Sequence, residues 1–397
     1  MSPDGFLETW LAPLDVDAFR DEFFARRPLF REAGRARLGA LAGLCEWDAA
    51  AILGARSRDV TAWFEAADGR HLTAEVSPEA ARKLYQAGTT FYIKDLAELA
   101  PVREALARSL SVPRENFQCN LFCNQPGAKT RMHFDPVDTF TVQITGRKRW
   151  RVAKNRHVAD PNIGWATLDR TMRAELRLYA EGPMPERMPD DAEEFTLEPG
   201  AMLYVPRGYW HETDSDRESI SVHIHHIALP WVDAVLVALR SKLIRDPAWR
   251  ATAATLWDAT RRPASEAALA PLLGALAAAV ADLATDDVLP APPRRAAPPS
   301  DDHRFTRRAM ASSFVEPTDP AAAGASHVTF SAIEQGTERR ATVEMSASYL
   351  RACRLFTGPT PPPLSAREIA ARVPSLGAGE ARQLVGLLLD VGFLRPA

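Results

Sequence analysis

Residues 132–152 read MHFDPVDTFTVQITGRKRWRV, and residues 198–213 read EPGAMLYVPRGYWHET. His133 and Asp135 are two apart, so an extended chain sends both side chains to one face. Residues 139–144, TFTVQI, alternate between two faces; Gly146 marks a turn, and residues 148–152 return as a further strand. In the second stretch residues 201–205 form an apolar strand. The turn PRGYWH then places His211 at a strand end, with Trp210 expected to wall the site. Two imidazoles and a carboxylate on a rigid sheet make the ligand set that leaves open positions on a non-haem Fe(II) ion.

Working outward, residues 117–227 read as β. Strands are expected at 194–197, 201–205 and 219–227, with a polar insert over 154–192 that carries a helix at 169–179. Many short antiparallel strands with Gly/Pro turns indicate a closed or two-sheet barrel. The first 115 residues are mostly helical: Val16, Phe19, Phe23 and Phe24 line one stripe of a helix over 15–24 that Pro28 ends. Strands are read at 60–64 and 89–93. A helix opens at Ser77 with Pro78 in its first turn, and another covers 101–110.

Pro230 ends the β region. Helices follow at 232–243, where Val235, Leu236, Leu239 and Leu243 form a stripe, and at 266–283. LPAPPRRAAPPS, residues 289–300, reads as a semi-rigid linker. A hairpin of strands 328–333 and 340–345 around Gln335-Gly336 precedes helices at 346–356, 365–373 and 379–392, a winged-helix composition. The expected organisation is α+β: a catalytic domain at 1–230, a helical region at 231–289, a Pro-rich linker at 290–326 and a winged-helix-like domain at 327–397.

With 397 residues, 46% of them apolar, the chain can build several cores. A net charge of −3 gives no general attraction to nucleic acid. Four cysteines, Cys45, Cys119, Cys123 and Cys353, are too few for a disulfide framework and read as buried free thiols. The N-terminus lacks the pattern of a secretory signal. Residues 267–280, broken by Pro271 and Gly274, fall short of a membrane span. A cytoplasmic protein with no membrane partner is expected.

Three neighbours strengthen the metal reading. Lys148 lies fifteen residues after His133, on the strand read as returning beside it, where an ammonium could enter the barrel and bind a carboxylate. Thr130 and Thr139 add hydroxyls on either side of the pair. His223 and His225 share a face of the last strand; packing is the ordinary role for such a pair, and lining the barrel the functional one.

The sequence resembles the JmjC-type 2-oxoglutarate oxygenases, specifically the cupin-like ribosomal oxygenases. The shared residues are Asn120-Leu-Phe, His133-Phe-Asp135, Gly146-Arg-Lys148-Arg-Trp and the run from 197 to 211. The resemblance implies a double-stranded β-helix (jelly-roll, cupin) catalytic domain followed by a helical dimerisation region and a winged helix. It makes His133, Asp135 and His211 the ligands of Fe(II), and Lys148 the partner of the distal carboxylate of 2-oxoglutarate. Thr130 and Asn120 fall near that co-substrate. Phe122 stands where some relatives have tyrosine, and His226 where relatives often have a smaller hydrogen-bonding residue.

The implied activity is O2-dependent hydroxylation of a protein side chain, an arginine or histidine of a ribosomal protein, by a homodimer. Two other functions compete. One keeps the chemistry but acts on a biosynthetic peptide; the other is a metal-binding regulator without turnover that uses the winged helix on DNA. Against the latter, Arg339, Arg340, Arg351, Arg354, Arg367, Arg372 and Arg382 are offset by Glu334, Glu338, Glu344, Glu368 and Glu380, so the tail has no concentrated basic face.

Overall fold

β-branched and aromatic residues between positions 117 and 226 settle into strands that change sheet at almost every turn. The computed structural model describes residues 6–46, 48–54, 60–65, 71–94, 96–167, 169, 171–254, 256–289, 302–307, 311–315, 325–334, 337–357, 361–390 and 393–396. It divides into two units, Met1–Ala228 and Leu229–Ala397. The strands of the first are β1 (Leu29–Arg31), β2 (Val60–Glu65), β3 (His71–Val76), β4 (Thr90–Ile93), β5 (Phe117–Asn124), β6 (Lys129–Phe134), β7 (Asp138–Thr145), β8 (Lys148–Ala153), β9 (Trp165–Ala166), β10 (Glu193–Leu197), β11 (Met202–Val205), β12 (Trp210–Asp214) and β13 (Ser219–His226).

They form an eight-stranded sheet, β1-β11-β7-β13-β5-β4-β2-β3, and a five-stranded sheet, β10-β8-β12-β6-β9. Every pairing in both is antiparallel. From β5 to β8, and again from β10 to β13, each step crosses to the other sheet. The result is a cupin-type β-sandwich, as expected.

Helices α1 (Phe6–Leu11), α2 (Val16–Glu22), α3 (Arg35–Leu38), α4 (Ala49–Gly54), α5 (Pro78–Gln86) and α6 (Ala100–Leu110) belong to this unit. Apolar residues at every second position of β5, β7 and β13, such as Leu121, Phe140 and Val222, pack with Leu7, Trp10, Phe19 and Leu106 in one core. The positions between them, Asn120, Asn124, Thr141, Gln143, Ser221 and His223, are also buried and by the period-two alternation face the second sheet. The space between the sheets is therefore polar where the other face is oily. Cys119 and Cys123 are buried free thiols of β5, as is Cys353 further on.

Three local expectations need correction. Residues 169–179 make no α-helix: among the described residues there is a single 3-10 turn, Leu176–Leu178. So short a segment nucleates a helix poorly, and it is held instead by burying Leu176 against Met132, Phe134 and Trp210. β8 does not run beside the strand of His133, because β12 lies between them. The helix read over 15–24 stops at Glu22, well before Pro28.

In the second unit, α7 (Trp231–Leu243), α8 (Pro247–Arg250), α9 (Arg262–Ala281) and α10 (Thr285–Val288) come first. Lys242 of α7 pairs with Asp282 and Asp287 at 3.2 and 2.9 Å, tying α7 to the end of α9 and to α10. α9 is the helix expected over 266–283, starting four residues earlier. It runs through Pro271 and Gly274, and residues 259–281 are long and apolar enough to cross a membrane by length and composition, which corrects the expectation that no segment was. A helix that covers an apolar protein face passes the same test.

After these helices come β14 (Arg304–Arg307), β15 (Ala311–Val315), β16 (Ala325–Glu334), β17 (Thr337–Ser346), α11 (Ala347–Arg354), β18 (Leu364–Ser365), α12 (Ala366–Arg372), α13 (Ala378–Asp390) and β19 (Leu394–Pro396). The expected hairpin is β16 with β17; its turn, Gln335-Gly336, lies outside the described residues, as do residues 290–301 of the proposed linker. β14 and β15 fall within the stretch read as linker, yet β14 pairs with β18 and β19, and β15 with β16. Phe305 and Ala311 join the core of this region with Phe330, Leu384 and Phe393.

Candidate active site

The turn over residues 206–209 decides where His211 goes. Gly208 has φ +83°, and a Cβ there would meet Pro161 at 2.6 Å, so the chain reverses tightly enough only with glycine. The N–H of Gly208 donates to the carbonyl of Asp135 (2.9 Å). Past the turn the chain starts β12 in the other sheet. His211 is therefore not at the end of the 201–205 strand but inside a strand of its own, directly opposite His133. Opposed residues of an antiparallel pair share a face. Trp210 consequently points away, packing on Phe134 and Trp165, and does not wall the site. Asp135 follows the last residue of β6.

The imidazoles are fixed alike. His133 Nδ1 donates to the carbonyl of Arg131 (2.8 Å), and His211 Nδ1 to that of Tyr209 (3.0 Å). A carbonyl only accepts, so Nδ1 carries the proton and each Nε2 offers its lone pair. Those Nε2 atoms lie 3.6 and 3.5 Å from Asp135 Oδ2. One donor atom from each of the three residues falls within 4.8 Å of the others, a group that could hold a metal ion. Burial alone would raise the Asp135 carboxyl, but the adjacent His133 and His211 hold it well below the usual carboxylate range. Burial acts against a charged His133 too, yet Asp135 raises it, whereas burial and the neighbouring His133 lower His211. Asp135 is 37% exposed and His211 only 8%, so the open side of the triad is at the carboxylate.

Lys148 is buried between the sheets, as its place in the sequence suggested. Its Nζ donates to Asn124 Oδ1 (3.3 Å) and lies 5.1 Å over the Phe122 ring and 5.8 Å over that of Trp150. Among the described residues no carboxylate pairs with it, and burial pushes the ammonium down to about 8. Asn120 lies opposite His223 in the polar interior. Thr130 faces Thr213 through a register shift that follows His211, which carries it onto the face of the triad. Thr139 is buried on β7, opposite Val205 and His225.

Trp150 and Tyr92 join the site without having been expected there, and His223 lines it as one of its two readings allowed. Trp150 stacks on His211 at 5.5 Å and is the wall that Trp210 was expected to be; counting two on from the inward Lys148 finds it. His223 takes a hydrogen bond with Ser221 (3.0 Å), sits against Phe122, and is driven well below the usual histidine value by burial and by Lys148. Tyr92 packs on Phe122 at 4.5 Å, and burial with the nearby Asp135 raises its phenol. His226 lies elsewhere, bonded to Asp138 (2.8 Å). Buried Thr141 Oγ1 and Trp150 Nε1 have no hydrogen-bond partner among the described residues, as expected of a cavity that receives a polar ligand. Two nitrogens, one carboxylate oxygen and an open side fit Fe(II).

Sandwich, triad and buried lysine together suit a metal-dependent enzyme whose interior can receive an anion. Residues 103–233 match the JmjC domain family, and JmjC oxygenases use Fe(II), 2-oxoglutarate and O2. YxbC of Bacillus subtilis (strain 168) is 29% identical over 259 residues, 62% of this chain and 78% of that protein. Ribosomal oxygenase 1 of Rattus norvegicus is 29% identical over 167 residues, 40% of this chain, and the match spans only a quarter (25%) of that protein's length. The X-ray structure of E. coli ycfD has a TM-score of 0.47 at 16% identity, covering 96% of this chain and 98% of that one.

Proposed function

We propose that the chain is a protein hydroxylase acting on a side chain, arginine or histidine, of a ribosomal protein. The observation that carries the co-substrate part is Lys148, a buried ammonium without an anion in the same polar interior as a three-donor metal site. The substrate class is supported by relatives that bear the name ribosomal oxygenase. In this reading His133, Asp135 and His211 hold Fe(II), Lys148 binds the distal carboxylate of 2-oxoglutarate, and Thr130 and Asn120 hydrogen-bond the co-substrate. When bound, iron supplies oxidative decarboxylation of 2-oxoglutarate by O2, giving succinate, CO2 and the oxidising power for a substrate C–H bond.

The chain's own part is placement. Trp150 and Phe122 shield the lysine from water, which strengthens its attraction for the carboxylate. Substrate enters on the exposed side of Asp135. The enzyme is a cytoplasmic homodimer joined through α7 and α9, with the C-terminal region as a winged helix. The test is direct: purified chain, Fe(II) and 2-oxoglutarate are incubated with ribosomal proteins, and peptides heavier by one oxygen are sought by mass spectrometry. His133→Ala and Asp135→Ala, each lacking one of three ligands, should give none. Full activity in either variant would remove the triad from the site, and modification of a co-encoded peptide alone would move the substrate to the biosynthetic class.

A further inference from the structure

We infer that Asp138 is a positioning residue for the metal centre: its buried side chain fixes the turn that carries His211. The inference rests on reading His133, Asp135 and His211 as the metal site. Asp138 opens β7, three residues beyond Asp135, and is 1% exposed. Its oxygens gather three donors from three parts of the chain. His226 Nδ1 at the end of β13 donates to Oδ2 (2.8 Å), while the Tyr204 hydroxyl of β11 (3.1 Å) and the backbone N–H of Arg207 (3.0 Å) donate to Oδ1. The Tyr204 hydroxyl in turn accepts from the N–H of Ala25 (2.7 Å), and the rings of Phe24 and Phe117 close over His226 at 5.2 Å. Both oxygens of this buried side chain are thus hydrogen-bonded, as burial of a polar group requires.

What these bonds hold is the turn itself. Residues 207, 208 and 209 are tied in succession. The Arg207 N–H goes to Asp138, the Gly208 N–H to the carbonyl of Asp135, and the Tyr209 carbonyl receives the Nδ1 proton of His211. The second and third ties end on ligands, so they move with the ligands. The Arg207–Asp138 tie fixes the backbone of the turn to a buried side chain that is not a ligand; the turn's other non-ligand contacts run through side chains at the surface, Tyr209 Oη to the carbonyl of Arg26 (3.1 Å) and the Arg207 guanidinium to Asp160 (3.8 Å). Without it the Tyr209 carbonyl, and the ring it orients, lose the buried backbone anchor and are held only through side chains at the surface. Partners that orient metal ligands matter to metal affinity for this reason.

Co(II) alone, titrated into the full chain and followed by its visible absorption, reads the effect, with thermal unfolding measured alongside. Asp138→Ala should weaken Co(II) binding by about tenfold to a hundredfold. Asp138→Asn should stay within about threefold of wild type, because its amide oxygen accepts from Arg207 and Tyr204 and its NH2 can donate to the other tautomer of His226. Tyr204→Phe loses two buried hydrogen bonds but keeps the Arg207 tie, so it should lower the melting temperature while leaving Co(II) affinity near wild type. Wild-type Co(II) affinity in Asp138→Ala, or a loss in Tyr204→Phe as large as in Asp138→Ala, overturns the inference. If the alanine variant does not fold, Asp138→Glu, which displaces the carboxylate by one methylene, decides on the same scale: weakened affinity supports the role and unchanged affinity refutes it. A wild-type chain that binds no Co(II) fails at the metal site itself and takes this inference with it.

Discussion

Burial lowers the Lys148 ammonium from the ordinary lysine value of 10.5 to about 8. At about 1.4 kcal/mol per unit, that is on the order of 3 kcal/mol spent keeping an ammonium in the sandwich, which an anionic ligand offsets. The sign of the pH effect follows. Below about pH 8 the side chain is charged and can take a carboxylate; above it the amine is neutral. The apparent Michaelis constant for 2-oxoglutarate should therefore rise as pH passes upward through about 8. Because the folded value lies below the unfolded one, the unfolded chain binds more protons between pH 8 and 10.5. This group's contribution to stability thus increases with pH across that window in the absence of co-substrate. Lys148→Arg should flatten the alkaline limb. Lys148→Ala should raise the constant about tenfold to a hundredfold, the equivalent of a charged hydrogen bond of roughly 1.5–3 kcal/mol, without weakening metal binding. A Michaelis constant for 2-oxoglutarate that does not change between pH 7 and 9 would mean that the lysine charge plays no part in binding it.

At the scale of elements, β8 shows which inferences a sequence supports. Its alternation of Lys148, Trp150 and Val152 inward with Arg149 and Arg151 outward is local, and the outward pair make ion pairs with Asp214, Glu194 and Glu212. The three residues that could hold a metal are legible for the same reason, since HxD spacing and the PRGYWH turn are short-range signals. β12 was not legible: WHETD has little apolar alternation and becomes a strand by pairing with β6 and β8. With that strand unread, Trp210 could not be assigned to the opposite face from His211. β14 is illegible for a related reason, because its partners β18 and β19 lie far away in the chain, and β15 because ASSFV, like WHETD, has little apolar alternation and becomes a strand by pairing with β16. The β7–β8 turn offers a test of how tightly the element holds Lys148. Gly146 has φ +68°, and a Cβ there would lie 2.0 Å from the carbonyl oxygen of Glu218. Gly127 has φ +83° but open space around the same position. Both alanine variants incur the left-handed penalty of roughly 1–2 kcal/mol; only Gly146→Ala adds a backbone collision. Gly146→Ala should lower the melting temperature by at least about 4 °C more than Gly127→Ala, and should raise the Michaelis constant for 2-oxoglutarate as Lys148 shifts. Equal melting temperatures for the two variants would show that the hairpin yields freely.

For the whole molecule, the apolar surface of the second unit is the feature that asks for a partner. No residue of α9 is buried within the chain, and Ala238 is the single buried residue of α7. Trp231, Val232, Val235 and Leu236 of α7 and Leu269, Leu273 and Val280 of α9 are exposed. Leu269, Leu273 and Val280 recur at helical spacing, so α9 presents a stripe, and alanines around it allow close helix approach. Patches of this kind on a folded chain mark an interface. A second copy of the same surface is the partner the geometry suits best, because a two-fold arrangement buries both stripes at once. A stable interface of that kind covers about 1,200–2,000 Å² in total. Sedimentation equilibrium at micromolar concentration should therefore give about twice the chain mass of 43.7 kDa. Leu269→Asp combined with Leu273→Asp places two charges in the stripe and should give a monomer that keeps its metal site. Two results would sink the proposal: a wild-type monomer at micromolar concentration, or wild-type chain that pellets with lipid vesicles and is released only by detergent, which would give residues 259–281 a bilayer for a partner instead.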